Sequence, residues 1–426
     1  MNDPRFEVRR DPILGEEVWL ARTARGLPVR VVPTDRFREV VAVVSVGYGS
    51  TDLGFESDGG RHESPQGVAH YLEHKLFEDE DLHVFERFGK RGARVNAMTG
   101  FTRTSYYFLA TSQFADNFAD LLHLVSRAHL TPENVEKERG IIEQELRMYE
   151  DSPEYRGFFE LLRGLYAEHP VRNPVGGTVE SIAGIDVAEL ERCHRAFYRT
   201  GNCAVAVAGP VEPAAVLDAL EAWDLAAGAA PARVTVDDRG APGRRTGEVA
   251  MDVARPRLLI GFKDRAPARS TDERLMDELA TRVLLDRLLG GSSRAREALH
   301  ERGLVDDSVG LSHMSERGFG FTVVHCETDT PDATRDALLE LLTTPLDLDD
   351  AGLEPVRRRM LGQYVRSFDA VQSMAFAHCE EQLDGVDPFG SLARMQALDA
   401  ARVRARQKEH LVAADAAWVV VSPAGG

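Results

Sequence analysis

The chain has 426 residues, which exceeds the usual length of one compact domain and predicts two or three. A hydrophobic fraction of 43% excludes a chain that is disordered throughout. The 51 Lys and Arg residues against 69 Asp and Glu residues give a net charge of −18. This balance argues against a nucleic-acid-binding protein and against docking on anionic lipid, and it favours basic substrates only weakly.

The N-terminus lacks the apolar segment of a signal peptide, and no apolar run approaches the ~18–20 residues that span a bilayer. We therefore expect a cytoplasmic protein without a membrane segment. No C-x-x-C spacing is present, so buried free thiols are expected rather than disulfides or a cysteine zinc site. The four cysteines are Cys193, Cys203, Cys326 and Cys379.

One order of predicted elements occurs twice along the chain: a strand, a helix, an aromatic strand, a Leu-rich helix and a long charged helix. The paired segments begin at Val40 and Arg257, Gly67 and Leu275, Ser105 and Gly318, Leu121 and Leu338, and Val135 and Val356. The stretch between the halves, 226–247, has the Gly-, Ala- and Pro-rich composition of a linker. We expect an α+β fold of two homologous domains, residues 1–228 and 247–426 with a linker at 229–246, each with helices packed on a mostly antiparallel sheet.

The first half contains an H-x-x-E-H motif, formed by His70, Glu73 and His74 in a predicted helix from Gly67 to Phe77. Residues four apart share a helix face, so the two imidazoles can bind one metal with the glutamate beside them. Imidazole suits Zn²⁺, and the glutamate can take a proton from a zinc-activated water. The alternative is an amphipathic helix with one packed and one solvated histidine.

A third ligand must come from elsewhere, and the predicted helix from Val135 to Met148 is the best candidate. Glu138 and Glu145 are seven residues apart, about two turns, and so share a face. One can bind the metal while the other fixes a histidine tautomer. The alternative is a solvated helix face of Glu with Lys and Arg.

The chain resembles the pitrilysin/insulinase family of zinc peptidases, in the short form typified by mitochondrial processing peptidase and its bacterial relatives. Within that group it is most similar to bacterial processing-peptidase-like proteins associated with elongation-factor-P modification. The resemblance covers nearly the whole chain and is sharpest in residues 67–180. The motifs that carry it are His70-x-x-Glu73-His74, Gly92-Ala-Arg-Val-Asn96-Ala97-Met-Thr99, Glu136 to Glu145, Met148 to Pro153 and His169-Pro170…Gly176-Gly-Thr178.

The resemblance implies two homologous α+β domains and one zinc ion per chain. By matching positions, it implies that His70, His74 and Glu145 bind the zinc. Glu73 would be the general base, and Glu138 a carboxylate hydrogen-bonded near a histidine ligand.

The resemblance also implies an edge strand that pairs with an extended peptide substrate. Asn96 and Ala97 fall at this position, where main-chain hydrogen bonds would hold the peptide largely independently of its side chains. The alternative for Asn96 is an ordinary turn residue.

One segment departs from the family pattern. Active single-chain members carry an Arg and a Tyr in the second half, where this chain has His300 and Asp306. An aspartate would repel a developing oxyanion. The second half also lacks H-x-x-E-H, so we expect the zinc subunit of a heterodimer whose homologous partner supplies Arg and Tyr, with a homodimer as the alternative.

The predicted activity is hydrolysis of peptide bonds in unfolded peptides or leader segments, with zinc as the cofactor. Two other classes remain open. One is a non-catalytic assembly subunit, which bound zinc would argue against. The other is a maturation factor that escorts a peptide without cutting it, which a functional Glu73→Gln variant would favour.

Overall fold

The computed structural model describes residues 3–11, 13–57, 59–79, 84–265 and 270–424. The strands in these ranges are β1 (Glu7–Arg10), β2 (Glu17–Arg22), β3 (Pro28–Pro33), β4 (Val40–Val46), β5 (Gly54–Ser57), β6 (Gly60–Glu63), β7 (Arg94–Thr99), β8 (Thr104–Ala110), β9 (Arg199–Gly201), β10 (Cys203–Gly209), β11 (Ala226–Ala229), β12 (Thr246–Met251), β13 (Arg257–Lys263), β14 (Gly310–Glu316), β15 (Phe319–Glu327) and β16 (Ala416–Pro423). The α-helices are α1 (Val68–Leu76), α2 (Val84–Lys90), α3 (Phe114–Ser126), α4 (Pro132–Glu150), α5 (Pro153–Leu165), α6 (Val179–Ile182), α7 (Val187–Phe197), α8 (Pro213–Glu221), α9 (Thr271–Leu289), α10 (Arg294–Glu301), α11 (Pro331–Thr343), α12 (Asp350–Ser367), α13 (Val371–Leu383), α14 (Gly390–Ala397) and α15 (Ala400–His410).

The chain forms two compact units, and each is assembled from separate stretches of sequence. Unit 1 comprises residues 1–146, 174–234 and 363–391, and unit 2 comprises residues 147–173, 235–362 and 392–426. The units are therefore discontinuous, whereas the division predicted at 229–246 is contiguous. That division remains a prediction about the duplicated halves.

Unit 1 is built on a seven-stranded sheet in the order β1-β2-β3-β10-β4-β8-β7. Its last five strands have one parallel pair, β3 with β10, and antiparallel pairs from β10 through β4 and β8 to β7. Strand β7 lies at the end of this order and is an edge strand. The segment between β4 and α1 contains the β5–β6 hairpin.

Unit 2 repeats this topology in a five-stranded sheet in the order β12-β16-β13-β15-β14. Here β12 is parallel to β16, and the pairs from β16 through β13 and β15 to β14 are antiparallel. The position of each strand matches a strand of unit 1 in direction and order. The predicted α+β fold with two homologous halves is therefore confirmed.

Helix α13 belongs to unit 1 although the second half of the sequence encodes it. All seven residues of β4 are buried. On one face of the sheet, Val44 packs in the main core of the unit. On the other face, Val43 packs with Met374 and Cys379 of α13. The uninterrupted apolar run of β4 is thus explained by burial on both faces.

Helix α5 has the equivalent place in unit 2, against β12, β13 and β16. Two glycines allow this close packing. A Cβ at Gly157 would lie 2.9 Å from Val421 Cγ2, and one at Gly261 would lie 2.8 Å from Leu165 Cδ1. Because α5 follows α4 as α13 follows α12, the two halves of the sequence exchange equivalent helices.

The membrane-spanning potential of the helices and the state of the cysteines were both predicted from composition. Within the described residues, no helix is both long enough and apolar enough to cross a membrane. The four cysteines are all described and are buried free thiols, as the sequence predicted.

Candidate metal centre

Helix α1 presents two faces with different chemistry. Val68, Leu72 and Leu76, at four-residue spacing, are buried in the core of unit 1. His70 and His74 lie on another face, where their ring centroids are 4.6 Å apart. The apolar stripe therefore fixes the rotation of the helix and directs both imidazoles to one place.

A close backbone contact fixes the position of the start of α1. Gly67 has φ 92°, and a Cβ there would lie 2.3 Å from the carbonyl oxygen of Gly176. A Cβ on Gly176 would in turn lie 3.4 Å from Nδ1 of His70. The sequence motif that contains Gly176 thus folds against the first histidine of the site.

Three donor atoms converge between α1 and α4. The Oε2 atom of Glu145 lies 3.7 Å from Nε2 of His70 and 3.3 Å from Nε2 of His74. Among the described residues, these three form the one group of His, Cys, Asp or Glu side chains with metal-binding spacing. Spacing alone left open which of two glutamates would complete the set, whereas the family resemblance implied Glu145, and Glu145 is the one that lies near both imidazoles.

The donor set fits zinc. Bonds of about 2.0–2.1 Å in tetrahedral geometry place donor atoms about 3.4 Å apart, close to both measured separations. Two imidazoles and one carboxylate also form a ligand set that catalytic zinc sites use, with a fourth position left for water or substrate.

His74 lies between two carboxylates. Its Nδ1 is 2.9 Å from Oε1 of Glu138, on the opposite side of the ring from Glu145. Burial disfavours the charged imidazole, but the hydrogen bonds with both glutamates outweigh it and raise the pKa of His74 to about 10. Burial also opposes ionisation of Glu138, yet its bond to His74 lowers the pKa of this carboxyl. A metal at Nε2 replaces a proton there.

The side chain of His70 is more deeply buried than that of His74. Burial and the nearby charge of His74 lower the pKa of His70 to about 4, so the ring is neutral. Its Nδ1 is buried and has no hydrogen-bond partner among the described residues. Its Nε2 faces Glu145, so the neutral ring can offer that nitrogen's lone pair to a metal.

Glu73 lies beside the donor atoms without joining them. Its side chain is almost fully buried, and its Oε2 accepts a 2.6 Å hydrogen bond from Oγ1 of Thr99 on β7. Burial raises the pKa of Glu73, while the Thr99 hydrogen bond opposes that rise. Thr99 is part of a motif that carries the family resemblance, but no role for it could be predicted from the sequence.

Asn96 and Ala97 lie in the middle of edge strand β7, so Asn96 is a strand residue and not part of a turn. The N–H of Ala97 donates to the side-chain Oδ1 of Asn96 at 2.9 Å. Asn96 is exposed, whereas Ala97 packs partly against the core. This places a backbone donor at the free edge, on the strand that also carries Thr99.

The two residues that depart from the family pattern lie in unit 2. His300 is exposed near the end of α10. Asp306 accepts from the backbone N–H of Ser308 at 2.9 Å and from Nη1 of Arg255 at 2.9 Å. Hydrogen bonds from Ser308, then from Arg255, lower the pKa of Asp306 to about 2. Asp306 is therefore an anion at neutral pH and cannot donate a hydrogen bond.

Sequence reasoning missed two side chains next to the site. The hydroxyl of Tyr71 donates to the backbone carbonyl of Val135, and Lys75 is fully buried beside the motif. The sequence did contain a signal that Lys75 is unusual. It occupies a position on the apolar stripe of α1, three residues after Leu72, where a charged side chain is unexpected.

Comparison with family models gives two matches. Residues 57–179 match the model described as Insulinase (Peptidase family M16). Residues 184–347 match the model described as Peptidase M16 inactive domain. The first match contains the motif of α1 together with Glu138 and Glu145 of α4.

Individual proteins give the same family. The chain is 35% identical over 372 residues to the uncharacterized zinc protease YmfH of Bacillus subtilis, covering 85% of this chain and 86% of that one. It superposes on a protein of Alicyclobacillus acidocaldarius, described as an M16-like peptidase, with a TM-score of 0.91, 32% identity and full coverage of both chains. A protease from Helicobacter pylori, at 19% identity, has the same fold, with a TM-score of 0.79 and coverage of 95% and 99%.

Proposed function

Because this chain belongs to the insulinase family of peptidases, peptidase family M16, we propose that it is a zinc metalloendopeptidase. The observation that carries the proposal is the convergence of donor atoms from His70, His74 and Glu145 beside the buried carboxylate of Glu73. A metal-binding triad with an adjacent general base is the constellation that metal-assisted amide hydrolysis requires.

In this proposal His70 and His74 each offer Nε2, and Glu145 offers one carboxylate oxygen. When bound, zinc lowers the pKa of water and polarises the carbonyl of the bond to be cleaved. Glu138 holds the ring of His74 through Nδ1, which leaves Nε2 directed at the metal.

Glu73 acts as the general base. It accepts a proton from the attacking water and later passes that proton to the leaving amine. Burial supports this role, because the raised pKa of Glu73 lies closer to neutrality, where a general base is most effective. Thr99 holds this carboxylate through its side-chain hydroxyl and its backbone N–H.

The free edge of β7 binds the substrate as an added strand. The N–H of Ala97 is held by a side chain, Oδ1 of Asn96, which a peptide carbonyl can replace. Strand addition requires an extended chain, which favours unfolded peptides or leader segments over folded proteins. The net charge of −18 gives a weak preference for basic peptides.

The second half supports a two-chain enzyme. A tetrahedral intermediate needs hydrogen-bond donors for its developing negative charge. Asp306 stands where the family carries a tyrosine, and it is an anion held by Arg255 and Ser308. We therefore infer that a homologous partner supplies the missing Arg and Tyr, in a heterodimer with this chain as the zinc subunit.

Peptide turnover by the purified chain, with its zinc content measured, tests the proposal. Unstructured, internally quenched peptides serve as probes, and Glu73→Gln is compared with Glu136→Gln, which changes a largely exposed glutamate of α4. We expect one zinc per chain in all three proteins. Cleavage that Glu73→Gln abolishes and Glu136→Gln preserves would support the peptidase and remove the need for a partner.

Two other outcomes are informative. Stoichiometric zinc without cleavage would support a site that binds its metal but lacks the donors for the tetrahedral intermediate. Adding a homologous subunit that carries the Arg and the Tyr should then restore turnover. A folded chain that binds no zinc would overturn the proposal. In that case a peptide-escort subunit is the second candidate, favoured by the match of residues 184–347 to a family model described as inactive.

A further inference from the structure

A buried lysine lies next to the candidate metal centre. The buried face of α1 follows the spacing i, i+3, i+4, i+7, i+8 from Val68, and Lys75 occupies the fourth of these positions. Its side chain is 0% exposed. A buried ammonium group is costly unless it is paired, so its partners reveal what it does.

Those partners connect Lys75 to a histidine of the site. Its Nζ donates to the carboxylate of Glu78 and, at 3.2 Å, to the backbone carbonyl of Asn134. Asn134 lies one helical turn before Glu138 on α4. Glu138 in turn bonds Nδ1 of His74 at 2.9 Å. The lysine is therefore bonded to α4 one helical turn from the carboxylate that holds an imidazole of the candidate site.

Charge is the first contribution of Lys75. Glu78 is itself largely buried, so without Lys75 its carboxylate would lose the ammonium group that it now bonds. The ammonium group of Lys75 offsets the charge of Glu78 there. Lys137, whose side chain is 73% exposed, also approaches Glu78, at 3.8 Å, but water and ions screen a charge at that position.

The second contribution of Lys75 is to the position of α4 along its axis relative to α1. Lys75 and Tyr71, one helical turn apart on α1, donate to the carbonyls of Asn134 and Val135 in the first turn of α4. These bonds fix α4 along its axis relative to α1. Glu145 lies about three turns further along α4, so its distance from the two imidazoles depends on that register.

We propose that Lys75 is a positioning residue of the zinc site. It pairs with Glu78 on the buried side of α1 and fixes α4 so that Glu138 and Glu145 meet the histidines. Lys75 touches neither metal nor substrate, and it acts through these residues. The inference rests on the proposed function, because it concerns the same zinc site.

Zinc affinity of the metal-free chain, measured by competition with a chelator of known affinity, tests this role. Lys75→Met keeps the aliphatic volume and removes the charge and the donors. Lys75→Gln removes the charge but keeps a donor for the Asn134 carbonyl, and it serves if Lys75→Met fails to fold. Lys137→Met makes the same chemical change at an exposed lysine near the same glutamate and is the matched control.

We expect either Lys75 variant to weaken zinc binding about tenfold or more, as other partners of metal ligands do, with Lys137→Met unchanged. In the double variant Lys75→Met/Glu78→Gln, part of the affinity should return, because the uncompensated carboxylate is gone. A lysine that served packing alone would not be rescued in this way. The visible spectrum of the Co²⁺-loaded variants should also differ from that of the parent chain.

Two results would overturn the inference. One is a folded Lys75 variant with the zinc affinity of the parent chain. The other is a loss in Lys75→Met that Glu78→Gln does not change at all. Failure of the proposed function looks different, since the parent chain itself would then bind no zinc.

Discussion

The Nδ1 atom of His74 lies 2.9 Å from Oε1 of Glu138, while Nε2 of the same ring lies 3.3 Å from Oε2 of Glu145. One imidazole is thus held between two carboxylates of one helix. In the proposed zinc site the two contacts have different roles, because one would fix the ring and the other marks the side on which the metal would bind. Each can be tested separately.

Removing the orienting carboxylate should weaken the metal site without dismantling it. In Glu138→Ala, Nδ1 of His74 loses its acceptor, and we expect zinc affinity to fall about 10–100-fold. Chelator competition measures this change. Glu136→Ala, at a largely exposed position on the same helix, should keep the parent affinity. Equal affinities in the two variants would show that Glu138 has no orienting role.

Thr99 is expected to affect the chemical step rather than binding. Thr99→Val keeps the shape of the side chain and removes the 2.6 Å hydrogen bond to Glu73. A lost hydrogen bond to a charged group is worth about 1.5–3 kcal/mol, so kcat should fall roughly 10–100-fold. KM and zinc content should be unchanged, and the exposed Thr111→Val should behave as the parent chain. A change in KM alone would contradict this assignment.

The edge of β7 can be tested through its backbone. Ala97→Pro removes the N–H that a substrate strand would use, and proline is tolerated at a free sheet edge. We expect KM for an extended peptide to rise about tenfold, equivalent to about 1.4 kcal/mol, with zinc content unchanged. Asn96→Ala frees the same N–H from its side-chain acceptor, so KM should stay the same or fall. Unaltered kinetics in Ala97→Pro would place the substrate elsewhere.

Acid should destabilise unit 1 through His378. This residue of α13 is buried, and burial together with the charge of Arg30 lowers the pKa of its imidazole to about 3. The unfolded chain takes up a proton near pH 6.5, which the folded chain refuses until about pH 3. The free energy of unfolding therefore falls as pH drops below 6.5, by ~1.4 kcal/mol per pH unit, or about 2 kcal/mol at pH 5.

Chemical denaturation at pH 7.5 and pH 5 measures this loss. His378→Gln cannot be protonated, so its loss between the two pH values should be smaller by about the same 2 kcal/mol. The exposed His300→Gln is the control and should retain the full loss. Identical pH dependence in both variants would assign the acid sensitivity to other buried groups.

The local part of the site was predictable because helix periodicity determines it. His70 and His74 at i and i+4, and Glu138 and Glu145 two turns apart, had to share faces once each segment was helical. Which glutamate faces both imidazoles was not determined by spacing, since it depends on how α1 and α4 pack. The contact of Lys75 with Asn134 depends on that packing as well, whereas its contact with Glu78, three residues along the chain, is local.

The sequence pattern did not predict which helices belong to each compact unit. The repeat predicted the order of elements in each half, and the matching sheets confirm it. Nothing in the periodicity of α5 or α13 indicates that each helix packs on a sheet of the other half, because an amphipathic helix does not encode its partner. One hint was available: the unbroken apolar run Val40–Val46 indicates a strand covered on both faces.

The exchange of α5 and α13 has a consequence for how the protein is made. The sheet that supports the H-x-x-E-H helix is complete at residue 209, but the helix that covers its second face spans residues 371–383. At usual ribosomal rates, roughly ten to thirty seconds pass while residues 235–391 are added. During that time Val41 and Val43 lack the helix that covers them, so the nascent unit 1 needs protection from aggregation. A chain truncated before α13 would carry all four residues of the candidate site, His70, Glu73, His74 and Glu145, on an unfinished fold.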